Sequence, residues 1–349
     1  MATENDNDHY DLFSSKWVSL ADEALGAQVL SATDEFFGEK ENLIKPGRGI
    51  FIPNKYTDQG KWIDGWETRR KRGPGYDSCV IRLGVPGTIR GVDIDTNHFK
   101  GNHPPFASLE ACCIQDDPTE KTEWQEILRK TPTRQGCQNL IEVHNNNHWT
   151  HVRLNIHPDG GVARLRVYGD VFVDWSKLDA NEIIDLAAVQ NGGKVLACNN
   201  MRFSSKDNLI QPGRGKNMDD GWETRRRRTP GHDWAILKLG RKGSIKKVEV
   251  DTKHFKGNYP ESCSLEGAVI NPHESDVTAG GIVWKTLLSR HKLKADHQHF
   301  FELALQDIGP VSHVRLNIFP DGGISRLRLF GVIETVKLIE LNDVPQIEG

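Results

Sequence analysis

Short runs in which apolar and polar residues alternate make up most of the chain. The runs 79–84 (CVIRLG) and 235–240 (AILKLG) both end on glycine, and the runs 92–95 (VDID) and 248–251 (VEVD) alternate apolar with acidic residues. A period of two residues is typical of a strand with one buried face. Glycine, proline, asparagine and aspartate separate the runs, and no amphipathic helix longer than about three turns is evident. The pattern predicts an all-β, antiparallel fold, most simply a jelly-roll β-sandwich.

The pattern occurs twice along the chain, which indicates an internal duplication. Three stretches return nearly unchanged: 64–70 (DGWETRR) at 220–226, 92–104 at 248–260, and 151–169 at 313–331. The spacing between copies changes along the chain, as expected when loops absorb insertions around a common framework. We therefore predict two tandem jelly-roll domains at 18–169 and 184–331, a linker at 170–183, a disordered N-terminal tail at 1–17 and a C-terminal tail at 332–349.

A turn sequence, Pro-Asp-Gly-Gly at 158–161, predicts a hairpin at the end of the first copy. Folding about it would place apolar residues opposite one another on one face: Val152 with Val167, Leu154 with Leu165, and Ile156 with Ala163. The other face would pair Arg153 with Arg166 and Asn155 with Arg164. The second copy repeats this scheme, with Arg315 facing Arg328 and Asn317 facing Arg326.

Arginines that face each other on a sheet repel, so an anion should lie between or above them. One interpretation is structural: a carboxylate of the protein, such as Glu67, Asp95 or Glu110, neutralises the arginines. The other is functional: they bind the carboxylate of a ligand, for which the planar guanidinium group is suited. The sequence leaves both interpretations open.

Each copy also carries the same acidic and histidine residues, and these are the candidates for acid–base chemistry. Glu67 lies between a tryptophan and a basic run, a setting that could raise or lower its pKa. Asp95 and His98 follow a predicted strand, where they could act as acid, base or metal ligands, or simply hydrogen-bond the turn that contains them. The second copy repeats all three, at Glu223, Asp251 and His254.

Composition narrows the class of protein. The net charge of −3 and the fractions of apolar (37%) and charged (27%) residues are those of an ordinary globular protein. They give no support for a nucleic-acid or membrane partner, and the basic runs 69–72 and 225–228 are interpreted as solvated loops. The six cysteines include no C-x-x-C pair, and the N-terminus is unlike a signal peptide. We expect a cytoplasmic protein without a metal site, and no dinucleotide or phosphate-binding motif supports a cofactor.

Taken together, the repeated motifs resemble the allantoicase family. The resemblance rests on DGWETRR at 64–70, the Asp-Thr…Phe…Gly-Asn run at 95–102 and the Pro-Asp-Gly-Gly…Arg…Arg…Gly run at 158–169, each present twice. It covers roughly residues 18–331. It implies two jelly-roll modules similar to galactose-binding and other carbohydrate-binding modules, assembly into homo-oligomers, and hydrolysis of allantoate to urea and ureidoglycolate.

Given this resemblance, the chemistry of allantoate suggests roles for the repeated residues. Glu67 or Glu223 would protonate the departing urea, and Asp95 or Asp251, with His98 or His254, would activate water. Neither a covalent intermediate nor a metal is required. The expected substrate-binding residues are the repeated arginines, tryptophans and asparagines: Arg153, Arg164, Arg166, Arg315, Arg326, Arg328, Trp66, Trp222, Asn102 and Asn258.

Differences between the copies leave the location of the site open. His157 is replaced by Phe319, and His103 by Tyr259. One copy could be catalytic and the other structural, or a site could form between copies or subunits. Two alternative functions also remain: a lectin-like binding module without catalytic activity, and a related ureidoglycolate-cleaving enzyme.

Overall fold

The computed structural model of the chain describes residues 11–179, 181–271, 276–278 and 280–334. The chain divides between Val173 and Asp174 into two compact units, called unit one and unit two. Each contains one copy of the repeat. The predicted tails fall largely outside the described residues, at 1–10 and 335–349.

Strands dominate unit one. In chain order they are β1 (Val18–Ser19), β2 (Gln28–Ala32), β3 (Tyr56–Thr57), β4 (Gly60–Lys61), β5 (Trp66–Glu67), β6 (Asp77–Asp95), β7 (Phe106–Cys112), β8 (Gln125–Pro132), β9 (Leu140–Glu142), β10 (Trp149–His157), β11 (Gly161–Val162) and β12 (Arg164–Val171). The helical elements among the described residues are short: an α-helix at Asp11–Ser14 and 3₁₀ turns at Glu23–Leu25 and Lys40–Ile44.

Unit two repeats this arrangement. Its strands are β13 (Ile184–Asp185), β14 (Lys194–Cys198), β15 (Trp222–Glu223), β16 (Asp233–Asp251), β17 (Ser262–Ala268), β18 (Lys285–Lys292), β19 (Gln298–Phe301), β20 (Val311–Phe319), β21 (Gly323–Ile324) and β22 (Arg326–Ile333). Short 3₁₀ turns lie at Trp175–Lys177, Val189–Asn191 and Lys206–Ile210. The prediction of an all-β fold built from two tandem sandwich repeats is confirmed.

A single long strand holds two groups of strands together in each unit. The first half of β6 pairs with β2 and β10, and its second half pairs with β9 and β12. The partners change at Gly87, which is paired with both Trp149 and Val171. Gly243 of β16 occupies the same position in unit two. The apolar residues predicted to face inward are fully buried: Val152, Leu154, Ile156, Ala163, Leu165 and Val167.

The predicted hairpin between the last two long strands is wrong. β10 pairs with β6 and β7, β12 pairs with β1 and β6, and no ladder of the described chain joins β10 to β12. After the turn, β11 pairs with β5, which carries the chain into the other group of strands. Arg153 therefore lies opposite Glu110. Arg166 lies opposite Asp93, so the predicted repulsion between arginines does not arise.

Gly84 and Gly240 lie inside strands β6 and β16, whereas the sequence pattern predicted that strands end at these residues. A Cβ atom on Gly84 would lie 2.8 Å from the carbonyl oxygen of Leu25. On Gly240 it would lie 1.7 Å from the carbonyl oxygen of Asn191. Glycine is required at both positions because another segment of backbone approaches the strand closely.

Residues 11–17 differ from the predicted disordered tail. They include the short helix, and the side chain of Phe13 is buried edge-on against Tyr168, with ring centroids 5.9 Å apart. Strands β12 and β22 each continue two residues beyond the predicted ends of the repeats, at Gly169 and Gly331. The remaining domain boundaries stay as proposed from the sequence.

Candidate active site

Each unit fixes one glutamate at the edge of its core. β5 has only two residues, and it is hydrogen-bonded to β11 on one side and bridged to Gly38 on the other. Because neighbouring strand residues face opposite sides, Trp66 points into the core and Glu67 points out of it. The indole Nε1 of Trp66 donates to the carbonyl oxygen of Asp34 at 2.8 Å. Glu67 is consequently half-buried and anchored through its backbone.

The equivalent tryptophan in unit two is anchored in the same way. Nε1 of Trp222 donates to the carbonyl oxygen of Asn200 at 2.8 Å, and both indole rings are fully buried. This corrects the prediction that Trp66 and Trp222 contact the substrate, because a ring inside the core has no access to a ligand. Their role is to hold the short strands that carry the glutamates.

An asparagine binds each glutamate. Nδ2 of Asn102 donates to Oε1 of Glu67 at 2.6 Å, and Nδ2 of Asn258 donates to Oε1 of Glu223. The carbonyl oxygen of Asn102 also accepts from the backbone N–H of Gly161 at 2.7 Å, so the asparagine is held on both sides. Asn102 and Asn258, which were predicted to bind substrate, therefore orient the two carboxyl groups.

Burial raises the pKa of both glutamates above the ordinary range. The hydrogen bond from the asparagine opposes this shift in each case, because it stabilises the charged carboxylate. Glu223 also experiences the negative charge of Asp219, which raises its pKa further. A carboxyl group of raised pKa keeps its proton to a higher pH than an ordinary glutamate, so it is suited to act as a general acid.

A cavity of about 860 Å³ opens beside Glu223 in unit two. This volume lies within the range of small-molecule sites, roughly 300–1,000 Å³. Its polar and charged lining residues are Glu223, Thr224, Arg226, Arg227, Asn258, Tyr259, Glu261, Lys292 and Asp321. The guanidinium group of Arg227 is bound to Asp233. Arg226 and Lys292 are exposed and have no ion-pair partner among the described residues, so they are the cations that a ligand in this cavity can reach.

The equivalent positions in unit one have a different chemistry. The strand registers match Lys292 to Pro132, because each is paired with the first residue of the neighbouring strand. By the same alignment Pro105 replaces Glu261. Unit one therefore keeps its glutamate and asparagine but has no counterpart of the cation Lys292 or of the carboxylate of Glu261.

Four of the predicted substrate-binding arginines are bound inside their own units. Arg164 and Asp64 form a buried ion pair at 2.7 Å, and Arg326 pairs with Asp220 at 2.9 Å. Nη2 of the other two donates to pairs of backbone carbonyl oxygens: Arg166 to those of Lys45 and Gly47, and Arg328 to those of Gln211 and Gly213. These guanidinium groups secure loops, and this corrects the prediction that they await a substrate carboxylate.

The remaining two arginines lie on the outer faces of β10 and β20. Nε of Arg153 donates to Glu110 at 2.7 Å beneath the ring of Trp124, whose centroid is 4.6 Å away. Arg315 repeats the contact with its own glutamate and tryptophan: Glu266 at 2.8 Å and Trp284 at 4.7 Å. The contacts thus support the structural interpretation, in which carboxylates of the protein neutralise the arginines. Glu110 is one of the carboxylates that the sequence suggested for this role.

The aspartates and histidines of the predicted acid–base set stabilise the turns that contain them. The carboxylate of Asp95 accepts from the N–H of Asn97 at 2.9 Å, and that of Asp251 from the N–H of Lys253 at 2.9 Å. Nε2 of His98 lies 3.0 Å from the carbonyl oxygen of Gly49, and His254 makes the same contact with Gly215 at 2.9 Å. Within the described ranges, no hydrogen bond or ion pair joins these residues to Glu67 or Glu223.

Sequence reasoning missed the cations of the cavity. Arg226 belongs to the basic run 225–228, which was interpreted as a solvated loop, so a signal was present but not used. Lys292 is the last residue of a strand. A single charged residue is common at such a position and does not indicate a binding site. Only the folded chain brings Lys292 beside Glu223.

Two general features of the described residues bear on function. They contain no group of three histidine, cysteine, aspartate or glutamate residues placed to hold a metal ion. No helix among them has the length and apolar character needed to cross a membrane.

Comparison with known proteins defines the class. The family model described as "Allantoicase repeat" matches residues 18–172 and 184–334. A probable allantoicase 1 of Burkholderia mallei is 52% identical over 324 residues, covering 92% of this chain and 96% of the relative. A probable allantoicase of Photobacterium profundum is 53% identical over 318 residues, covering 90% of this chain and 96% of the relative.

A solved structure agrees with the sequence relatives. The crystal structure of allantoicase from Saccharomyces cerevisiae is 38% identical, with a TM-score of 0.77, and the match covers 95% of this chain and 98% of that one. The two-unit fold is thus that of a duplicated β-sandwich hydrolase class. The chain belongs to the allantoicase family.

Proposed function

We propose that the chain hydrolyses allantoate to ureidoglycolate and urea, a step of purine breakdown, and that the reaction takes place in the unit-two cavity beside Glu223. The observation that carries the site assignment is a half-buried carboxyl group of raised pKa, oriented by Asn258, on the wall of a cavity of about 860 Å³. Family membership over nearly the whole chain supports the reaction.

Glu223 supplies the proton that the leaving group needs. The central carbon of allantoate bears a carboxylate and two ureido groups. Glu223 protonates the nitrogen of one ureido group, and that carbon–nitrogen bond breaks with its electrons moving to the departing nitrogen. The lone pair of the other ureido nitrogen forms a double bond to the central carbon, which offsets the lost electrons. A general acid of this kind contributes about 10²–10⁴-fold to the rate.

Water completes the reaction. Its oxygen adds to the central carbon, and the electrons of the carbon–nitrogen double bond return to the ureido nitrogen. One proton of the water passes to the carboxylate that Glu223 has become. One carbon–nitrogen bond is broken, one carbon–oxygen bond is formed, and the acid returns to its starting state. Because Glu223 acts in turn as acid and base, this scheme assigns no step to Asp95, Asp251, His98 or His254.

Lys292 and Arg226 bind the substrate carboxylate in this proposal. Both line the cavity, and neither has an ion-pair partner among the described residues. The arginines predicted for this role are already bound elsewhere, so the two exposed cations are the ones that remain for an anionic ligand.

Urea release is the experiment that tests the proposed function. The purified chain should release urea from allantoate and leave ureidoglycolate. A lectin-like module would release no urea. A ureidoglycolate-cleaving enzyme would release urea from ureidoglycolate but not from allantoate, so one assay with two substrates separates all three.

Assembly and location belong to the proposal as well. The family resemblance supports a homo-oligomer, which size-exclusion chromatography with light scattering would test. All six cysteines are free, which accords with a reducing compartment such as the cytoplasm. Fractionation of the source cells would test the location.

A further inference from the structure

Glu261 lines the cavity of Glu223 and has a fixed position there. Its backbone N–H donates to the carbonyl oxygen of Phe319 at 2.9 Å, and its own carbonyl oxygen accepts from the N–H of Leu293 at 3.0 Å. Its side chain has no counterpart in unit one, where the residue is Pro105. The cavity is thus lined by three carboxyl groups, those of Glu223, Glu261 and Asp321. Asp321 accepts from the backbone N–H of Arg227 at 2.7 Å, and only Glu223 is used in the reaction described above.

The surroundings of Glu261 keep it charged, unlike those of Glu223. Its Oε2 accepts from the hydroxyl of Ser262 and from Nη2 of Arg290, the latter at 2.9 Å. These contacts hold the pKa of Glu261 below its ordinary value, with the Ser262 hydrogen bond as the largest cause. The same cavity therefore offers a carboxyl group that favours its proton and a carboxylate that does not.

Arg290 aligns this carboxylate. Its Nε donates to the hydroxyl of Ser262 at 2.6 Å, and its guanidinium carbon lies 4.2 Å from the ring centroid of Phe319. Both contacts of Glu261 use Oε2, and Oε1 has no hydrogen-bond partner among the described residues. One oxygen is thus anchored, and the other is left to accept from a ligand.

The set is specific to unit two. At the positions of Ser262, Arg290 and Phe319, unit one carries Phe106, Lys130 and His157. The amino group of Lys130 there lies over the ring of Phe106, 5.0 Å from its centroid. Together with Glu261, these positions differ in all four cases between the units. Unit one therefore has neither the carboxylate nor the residues that orient it.

We propose that Glu261 is the residue that recognises a ureido group of the substrate, and that Ser262 and Arg290 position it. A ureido group carries N–H donors on both nitrogens, directed to the same side, and the two can converge on one carboxylate oxygen such as Oε1 of Glu261. An amide with a methyl group in place of the terminal NH₂ lacks half of these donors. Glu261 therefore selects ureides over simple amides. The inference rests on the proposed function, because it concerns the same cavity.

Binding of two small acids tests this inference without turnover. N-carbamoylglycine has a carboxylate and one ureido group, and N-acetylglycine has a methyl group in place of the terminal NH₂. Neither has the second nitrogen on the central carbon that the reaction needs. Isothermal titration of the full chain should give a dissociation constant about ten- to hundredfold lower for N-carbamoylglycine, the range for hydrogen bonds to a charged group.

Substitution of Glu261 should remove this preference. The preference is measured as the dissociation constant of N-acetylglycine divided by that of N-carbamoylglycine. In Glu261→Gln this ratio should fall about tenfold, while the constant for N-acetylglycine stays within about twofold. Arg290→Gln should lower the ratio in the same direction. The matched control is Glu302→Gln, which removes an exposed carboxylate of unit two that pairs with Lys247 at 3.1 Å, away from the cavity lining. Its ratio should equal that of the parent chain.

The outcomes separate this inference from the proposed function. A parent chain that binds both acids equally, or a ratio unchanged in Glu261→Gln, would overturn the role of Glu261. If urea is still released from allantoate by the same preparation, the proposed function stands in either case. A ratio that falls as expected in a chain that releases no urea would support ureido recognition and contradict the hydrolase.

Discussion

A carboxyl group at the edge of a core can hold its proton at a pH where an ordinary glutamate has lost it. Glu223 meets this condition because burial disfavours its charged form. Asn258 works in the opposite direction, since its N–H group stabilises the carboxylate. The balance between these two effects sets the pH range over which the acid is active.

Removing Asn258 should therefore move the pH profile. The protonated form of Glu223 is the active one, so kcat/KM should be constant below its pKa and fall as pH rises through it. In Asn258→Ala the carboxylate loses a stabilising donor, its pKa rises, and the falling limb should move to higher pH. Asn102→Ala in unit one is the control and should leave the limb in place. A limb that stays or moves to lower pH in Asn258→Ala would contradict the assignment of the acid.

His313 gives a prediction about stability. Burial and the charge of Lys238 lower its pKa to about 4, whereas an unfolded histidine titrates near 6.5. The neutral form is favoured by folding, so stability is present above about pH 6.5 and lost as pH falls toward 4. Between pH 7 and 4.5 this residue should cost about 2–3 kcal/mol of unfolding free energy.

Denaturant titrations at the two pH values measure this effect. His313→Gln should lose about 2–3 kcal/mol less than the parent chain on acidification. The control is His151→Gln in unit one, where Asp117 lies 3.9 Å from the imidazole and opposes the lowering of its pKa. Its effect should be smaller. Equal acid sensitivity in His313→Gln and the parent would contradict the buried, neutral state of His313.

At the scale of elements, the arginines of β12 and β22 join strands to loops. Arg166 is buried and donates to two carbonyl oxygens of the loop after the Lys40–Ile44 turn. Removing the guanidinium group would break both hydrogen bonds of a buried charged donor, which are stronger than those of a neutral donor. The role is mechanical: the loop is held against the sheet.

Arg166→Ala should accordingly lower stability and spare substrate binding. We expect a loss of about 2–4 kcal/mol in unfolding free energy, from the lost hydrogen bonds of a charged donor and the lost packing of a buried side chain. KM for allantoate should stay within about twofold in the protein that remains folded. A higher KM in a variant of unchanged stability would instead restore Arg166 as a carboxylate ligand.

The alternation of residues was enough to predict the strands, their buried faces and the duplication. It could not predict which strands pair, because pairing depends on contacts distant in sequence. The turn at 158–161 shows the limit: its sequence is that of a tight hairpin, yet β11 pairs with the distant β5. Long strands β6 and β16 were likewise predicted as separate pieces, since a glycine required by close packing resembles a glycine that ends a strand.

The same limit applies to the site. Glu67, Glu223 and their asparagines were proposed from the sequence because each recurs at a fixed position in both copies. Lys292 and Glu261 were missed because they belong to one copy only, and a search for repeated residues excludes them. Repetition points to residues that both copies share, whereas the residues proposed here to adapt unit two to a ligand differ between the copies.

For the whole molecule, duplication has given two units of the same fold with different cavity chemistry. Both keep the pair of a half-buried glutamate and its asparagine. Unit two adds Lys292, Glu261 and the residues that orient Glu261, while unit one has prolines at both positions. We therefore propose that catalysis takes place in unit two and that unit one carries out no chemical step.

One comparison tests this claim most directly: the turnover number for allantoate in Glu223→Gln and in Glu67→Gln, each verified as folded. The substitution in unit two removes the acid and should lower kcat by about 10²–10⁴-fold. The same substitution in unit one should leave kcat within about threefold of the parent, because the account assigns Glu67 no proton transfer. Full activity in Glu223→Gln, or a loss confined to Glu67→Gln, would contradict it.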